Sequence, residues 1–579
     1  MHFLRQATTV LFSAFSLLSI AQTNIQFTSS DAADILAGNY NPNDYISASA
    51  ISDPHLIAAN LTTSIQADSL KSYLFKLSSF ETRHTASDTL STTRGIGAAR
   101  RWAYQKFQQF SAQNGNRLEV SYLQFDQAIC VVNQHRNIVA VLPGADATAG
   151  SVIIEGHIDS RCDGPCDTAC LAEGMEDNGS GSALVLELSR IMSKFQFDRT
   201  IVFMLTIGEE QGLYGATAMA TYCTQNNIQV AAVLNNDVIG GVICGETSSS
   251  PSCPGLNDID STQVRLFSAG GFSSMHKQLA RYIKLQYQEE LIQHVTVPQM
   301  VTVMSSEDRS GRGGDHIPFR QQGFPAMRFT SANEHGDASN GTDYHDRQHT
   351  SNDILGIDTD NNGQIDSFFV DFNYLARNAA INANAATMIA QNVCAQLDFT
   401  IEQINWHQVH VVIDDAVCGS GPYRVAFRSE TNDWDTLVTV SALDNTIEII
   451  PGFTYFVSVA RQNEQGIESL FSGEKYIDIV GVNETRKTTG IELLQNRPNP
   501  FDESTLIAFM VYEMPQMPIA TISISDLSGK VIKTMNTEVN LGINEIIYDH
   551  GYGQTGTFIY SLNIDGNILA SKKMVFRAN

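Results

Sequence analysis

Several short stretches of this chain end apolar runs with residues that bind metals or move protons. Val152-Ile153-Ile154 runs into Glu155-Gly156-His157-Ile158-Asp159-Ser160. Residues two apart on a strand share a face, so His157 can offer an imidazole and Asp159 a carboxylate that orients it. Next, Glu176-Asp177-Asn178-Gly179-Ser180-Gly181 precedes a stretch whose Leu184, Leu188, Ile191 and Phe195 fall on one helical face. Asp177 is there either as a helix N-cap or as a carboxylate bridging two cations, and the glycines let the backbone come close. After Thr200–Thr206 comes Ile207-Gly208-Glu209-Glu210-Gln211-Gly212-Leu213-Tyr214-Gly215. Two carboxylates at a strand end can face one site, one as metal ligand and the other as general base on the attacking water. Ala231-Ala232-Val233-Leu234 likewise runs into Asn235-Asn236-Asp237, and Tyr344-His345-Asp346-Arg347-Gln348-His349-Thr350-Ser351-Asn352-Asp353 supplies a late histidine. Two His, two Asp and one Glu suit two zinc ions sharing a carboxylate, and a set without thiolate also fits manganese or cobalt.

Positioning these groups requires a sheet. Between about Leu70 and Ala395, β-branched runs at 137–142, 151–155, 200–206 and 230–234 alternate with helical stretches such as Gly97–Phe110. This predicts an α/β domain over 66–396, with a central mostly parallel or mixed sheet flanked by helices. Ligands in such sheets bind at the carboxyl edge, where His157, Asp177, Glu209, Glu210 and Asp237 collect. From 397 to 480 the texture changes to short alternating strands with turn residues between them, the pattern of an all-β sandwich. A polar linker at 481–490 leads to a second all-β sandwich module at 491–579. Residues 22–65 are rich in Ser, Ala, Asn and Asp and read as an unassigned leader or pro-segment.

The order of motifs, HxD, DNGSG, GEExGLxG, NxDxIG and HTxxD, resembles the zinc aminopeptidase family that includes secreted bacterial leucine aminopeptidases, glutamate carboxypeptidases and glutaminyl cyclases. The resemblance covers about 325 residues. It implies His157, Asp177 and Asp237 on one zinc and Asp177, Glu210 and His349 on the other, with Glu209 as general base; Asp159, beside His157 on the same strand face, is the other catalytic candidate. His349 is preferred to His345 because Thr350 and Asp353 complete its motif. A cis peptide between Asp177 and Asn178 is implied as well. Where many relatives have Tyr before the last histidine this chain has Gln348, so Tyr344 becomes the candidate for that role. Arg309 to Phe319 resembles the loop bordering the family's pocket, which makes Asp315 and His316 supporting residues and Arg309 and Arg312 candidates for a substrate carboxylate. The activity implied is hydrolysis of terminal peptide bonds, most of all as an aminopeptidase. Carboxypeptidase, one-metal glutaminyl cyclase and non-catalytic binding protein are the alternatives on the same scaffold.

The module at 397–480 resembles fibronectin type III. The last one resembles the C-terminal sorting domain read by type IX secretion, on Leu494-Gln495-Asn496-Arg497-Pro498-Asn499-Pro500-Phe501, Ser525-Asp526-Leu527-Ser528-Gly529-Lys530 and Gly556-Thr557-Phe558-Ile559-Tyr560 followed by Lys572-Lys573-Met574. It implies export through periplasm and outer membrane, with the secretion machinery as partner, for a protein that ends up secreted or attached to the cell surface. Residues 1–21 agree, with Arg5, an apolar run from Val10 to Ile20 and small residues for cleavage: a signal peptide. No later run reads as transmembrane. With 36 basic and 62 acidic residues and a net charge of −26, nucleic acid is not an expected partner; peptides are. The nine cysteines of an exported chain read as disulfide partners, with one left over and Cys244–Cys253 as the best pairing. Finally, Asp358, Asp360, Asn362, Gln364 and Asp366 follow calcium-loop spacing, although Phe369 stands where such loops end in Glu.

Overall fold

The computed structural model describes residues 22–577 apart from 48–49, 244–257, 309–311, 333–346, 416–420, 430–431, 452, 480–489, 502–503, 512–513, 517, 541, 551–554 and 565. Its first nine strands are β1 (Thr23–Phe27), β2 (Glu119–Ile129), β3 (Val132–Leu142), β4 (Ser151–His157), β5 (Thr200–Thr206), β6 (Val230–Asn236), β7 (Gln263–Ser268), β8 (Met300–Val303) and β9 (Ala326–Ser331). They form one sheet in the order β1-β2-β3-β5-β4-β6-β9-β7-β8. The middle run β5-β4-β6-β9 is parallel, while β1, β2 and β3 add antiparallel at one edge and β7 pairs antiparallel with β9. Every residue of β4 and β5 is buried, as expected for parallel strands covered on both faces.

Helices close over the sheet. α5 (Gly181–Met192) is buried along almost its whole length, and α9 (Phe372–Gln391) exposes little of its alanine-rich sequence. The start of α5 lies so close to β6 that a Cβ on Gly181 would stand 2.2 Å from the Asn236 carbonyl, so only glycine fits there.

Residues 22–65, read as an unassigned leader or pro-segment, pack on this domain. β1 pairs with β2, and Ile57 and Leu61 of α2 (Pro54–Ser64) enter the main core. The helix is set by its ends: Pro54 occupies the first turn and Asp53 caps it by accepting from the Leu56 N–H at 2.9 Å. Polar composition hid these contacts, because what ties the segment down is strand and helix pairing across about a hundred residues and more.

Two sandwiches follow. In the first, strands between Asp398 and Asp478 form antiparallel sheets of three and four strands around Val409, Val411, Val425, Phe427, Val457 and Val459. In the second, strands between Ile491 and Phe576 repeat the three-plus-four arrangement around Ile507, Phe509, Ile522, Tyr560 and Met574. The linker expected at 481–490 lies, but for residue 490, outside the described residues, as does the segment 1–21.

Candidate metal centre

The carboxyl edge of the parallel strands carries the site. His157 is the last residue of β4, and Asp237 follows β6. Glu209 and Glu210 follow β5 in a turn that Gly208 permits with φ +73°. Asp177 lies in the turn Met175–Ser180 that feeds α5, and its peptide bond to Asn178 is cis. His349 comes from the loop before a short hairpin, β10 (Gly356–Ile357) with β11 (Ser367–Phe368).

Asp177 sits between the two histidines. Its Oδ1 is 3.0 Å from His157 Nε2 and its Oδ2 is 3.0 Å from His349 Nε2. The same His157 nitrogen is 3.3 Å from Asp237 Oδ1, and the same His349 nitrogen is 3.1 Å from Glu210 Oε2. Two triads therefore share one carboxylate. Glu209 joins His157 and Asp237 with ligand atoms within 4.8 Å of one another, and unlike the buried Asp177 and Asp237 it is partly exposed.

A layer of further contacts holds these groups. His157 Nδ1 meets the backbone oxygen of Asp159 at 3.0 Å, closer than the Asp159 carboxylate at 3.7 Å. That carboxylate instead accepts from the Glu209 and Glu210 N–H groups at 3.4 Å each and from Thr85 Oγ1 at 2.9 Å, so it orients the glutamate turn more than the histidine. Asp353 accepts from the N–H groups of Glu176 at 2.8 Å and Asp177 at 3.0 Å, which fixes the bridging turn. Gln348 donates to Asp177 Oδ2 at 2.6 Å and so has a place in the centre. Arg328, wholly buried, pairs with Asp237 Oδ2 at 3.1 Å, and Arg161 donates from Nε to Glu210 Oε2 at 2.9 Å. Arg83, also buried, donates to the carbonyls of Ile158, Glu173 and Gly174 and clamps the strand end to the bridging turn.

The protonation pattern follows from burial and these partners. Burial works against ionisation of Asp177, but hydrogen bonds from His157 and His349 outweigh it and hold the carboxyl well below its ordinary range. For Asp237 the opposing burial is outweighed by Arg328 and His157. Glu209 goes the other way: burial, with Asp237 and Asp315 nearby, pushes it well above the ordinary carboxyl value despite His157. A carboxyl raised in this way holds its proton more tightly than an exposed one, as suits a group that does general acid–base work. Five carboxylates, of Asp159, Asp177, Glu209, Glu210 and Asp237, gather here against the guanidinium groups of Arg161 and Arg328. Such a cluster of like charges, presenting imidazole and carboxylate donors and no thiolate, fits divalent cations of the zinc class.

Around the centre, Asp315 accepts from Thr206 Oγ1, and burial raises its pKa to about 7. His316 is buried, with Nε2 3.3 Å from the Glu307 carbonyl, and burial lowers its pKa to about 4. Arg312 is partly exposed on the loop before them, whereas Arg309 and Tyr344 lie outside the described residues. The loop with calcium spacing brings the carboxylates of Asp358, Asp360 and Asp366 within 4.8 Å of one another. Its Asn362 side chain accepts from the Gln364 N–H, and Asp366 accepts from Thr359. The cysteines at 162–170 make disulfides, Cys130–Cys166 and Cys162–Cys170. Cys394 is disulfide-bonded too, and Cys223 is the free, buried cysteine among the described residues; Cys244 and Cys253 fall outside them.

Sequence reading missed Arg83, Thr85, Arg161 and Arg328. For Arg328 a signal existed, since an arginine in the middle of the buried strand Ala326–Ser331 must have a charged partner.

The profile of Peptidase family M28 matches residues 137–372, the span that contains every residue of both triads. A protein of Leptosphaeria maculans named as a probable zinc metalloprotease is 30% identical over 395 residues, covering 65% of this chain and 87% of the relative. Another of that description from Pyrenophora tritici-repentis is 34% identical over 290 residues, 48% of this chain, and the chain spans 65% of that relative's own length. The chain belongs to peptidase family M28. Among solved structures, the LapA aminopeptidase of Legionella pneumophila aligns at 19% identity over 58% of this chain and 75% of its own, with a TM-score of 0.42.

Proposed function

We propose that the protein is a secreted two-zinc exopeptidase that hydrolyses terminal peptide bonds, most of all as an aminopeptidase. The observation that carries this is the shared carboxylate: Asp177 stands 3.0 Å from each of two histidines, each of which has a second carboxylate at its own side. His157, Asp177 and Asp237 would hold one zinc, and Asp177, Glu210 and His349 the other. Relatives named zinc metalloproteases support the choice of metal. When bound, zinc polarises the scissile carbonyl and makes water acidic enough to attack at neutral pH. The chain does the rest. Glu209, partly exposed beside His157 and Asp237, takes the proton of the attacking water and returns it to the leaving amine. Asp159 keeps Glu209 and Glu210 in place through their N–H groups, and Arg328 holds Asp237.

The export motifs at both ends of the chain support a secreted or surface-attached location, with peptides as substrates and the secretion machinery as a partner of the last module. The sheets of three and four strands support the fibronectin type III-like reading of 397–480. The three convergent carboxylates at 358–366 support a calcium ion there as a structural addition.

The test is the purified full chain with and without a chelator. Turnover of a terminal peptide bond should vanish on chelation and return with zinc. Glu209→Gln should lose about 10²–10⁴-fold in kcat while keeping its zinc. A variant that kept most of its activity would remove Glu209 from the role of base.

A further inference from the structure

The two histidines of the centre are held in opposite ways. His157 turns Nδ1 toward acceptors, the backbone oxygen of Asp159 at 3.0 Å and its carboxylate at 3.7 Å. A ring that gives Nε2 to a metal keeps its proton on Nδ1, and an acceptor there is the usual support. His349 turns Nδ1 toward Nη2 of Arg161, 2.7 Å away. A guanidinium only donates, so a hydrogen bond at this contact requires Nδ1 to accept, the tautomer whose proton is on Nε2, the nitrogen that faces Asp177 Oδ2 and Glu210 Oε2. The same guanidinium donates from Nε to Glu210 Oε2 at 2.9 Å. Arg161 thus engages two of the three side chains of the second triad.

Arg161 is also tied in place. Its Nη1 donates to the carbonyls of Cys162 at 3.2 Å and Asp163 at 3.1 Å. The loop that carries it is closed on itself by Cys162–Cys170 and joined to the β2–β3 turn by Cys130–Cys166. The first triad has an arginine too, but Arg328 meets the Asp237 oxygen other than the one that faces His157.

We propose that Arg161 competes with the metal of the second triad and makes that ion the exchangeable one of the pair. The inference rests on the two-zinc reading. Zinc on His349 Nε2 requires the ring proton on Nδ1, where Arg161 offers only another donor, so the bond between them must be given up. The guanidinium beside Glu210 also opposes added positive charge. The first triad shares the charge cost, through Arg328 beside Asp237, but His157 meets an acceptor at Nδ1 and gives up no bond there.

Zinc release from the zinc-loaded full chain into excess coloured chelator reads this directly, with total zinc per chain measured beforehand. Two ions should leave in two phases. Arg161→Gln removes the charge and supplies an oxygen that accepts from Nδ1–H, and it should slow the faster phase by about tenfold or more without changing the slower one. Arg161→Lys, which keeps the charge, should keep the fast phase. Unchanged or faster release from Arg161→Gln would overturn the proposal, the faster result meaning that Arg161 simply orients the ligands. Should Arg161→Gln not accumulate as folded protein, Arg161→Ala carries the same expectation, since the side chain is 19% exposed and its loop is held by two disulfides. Fewer than two zinc ions in the loaded wild type would sink the two-zinc reading itself, a separate outcome.

Discussion

At the scale of single residues the centre depends on pairs that burial makes unforgiving. Arg328 is fully buried between Asp237 and Asp308, so a neutral replacement takes a shared buried cation from two carboxylates. Arg328→Met should cost about 3–5 kcal/mol of folding stability, read from urea unfolding of the chelator-treated protein. A loss under about 1 kcal/mol would mean that other groups neutralise Asp237. Three residues of the triads were legible in the sequence for a local reason: His157, Glu210 and Asp237 each follow an apolar run, so chemistry and place at a strand end are visible within about ten residues, whereas Asp177 was read from a turn before a helix and His349 from the order of motifs. The arginines were not. Arg161 meets Glu210 across 49 positions and His349 across 188, and no spacing rule reaches that far. Asp159 was legible as a participant, but its partners are the backbone N–H groups of Glu209 and Glu210 more than the ring of His157.

At the scale of elements, burial depth followed the sequence where strands are parallel and central. The run expected at Thr200–Thr206 is β5, and those at 151–155 and 230–234 extend by two residues to His157 and Asn236. β1 and α2 were not legible, because a polar segment that adds to a sheet edge has no pattern of its own. α7 (Met275–Gln286) shows the opposite failure: Lys277, Gln278, Arg281, Lys284 and Gln286 look solvent-facing and are all buried. At its start His276 Nδ1 accepts from the Ala326 N–H at 3.2 Å, and burial, with Arg320 adding, lowers its pKa to about 4. The unfolded chain protonates this histidine near pH ~6.5. Between about pH 6.5 and pH 4 the unfolded state therefore binds more protons than the native one, and stability falls as pH falls through that window. Above it the contribution is flat. His276→Asn should remove part of this acid sensitivity, seen as a shallower drop in urea midpoint from pH 7 to pH 5. An identical slope would assign the sensitivity to other groups.

At the scale of the molecule the three folded parts share α7. Glu474 of the first sandwich pairs with Arg281 at 3.2 Å and with Arg428, and Glu468 accepts from Gln286 at 2.8 Å. Trp434 donates to the Arg281 carbonyl, and Glu545 of the last module stands 3.6 Å from Lys284 Nζ. Three textures along the sequence made the modules visible; their packing was invisible, because it buries residues that composition assigns to water. Glu474→Ala should remove the carboxylate that Arg281 and Arg428 share, cost about 3–5 kcal/mol, and split one calorimetric transition into two. A single unchanged transition would mean that the sandwich is only tethered.

The central claim is that this centre cleaves terminal peptide bonds with zinc. The most direct measurement is product release by the zinc-loaded full chain from two sets of peptides, one blocked at the C-terminus and one at the N-terminus, each with and without chelator. Chelator-sensitive release of the first residue from C-terminally blocked peptides alone is the result predicted here. Cleavage confined to N-terminally blocked peptides would contradict the aminopeptidase reading in favour of a carboxypeptidase, and cleavage of neither set would contradict the claim as a whole.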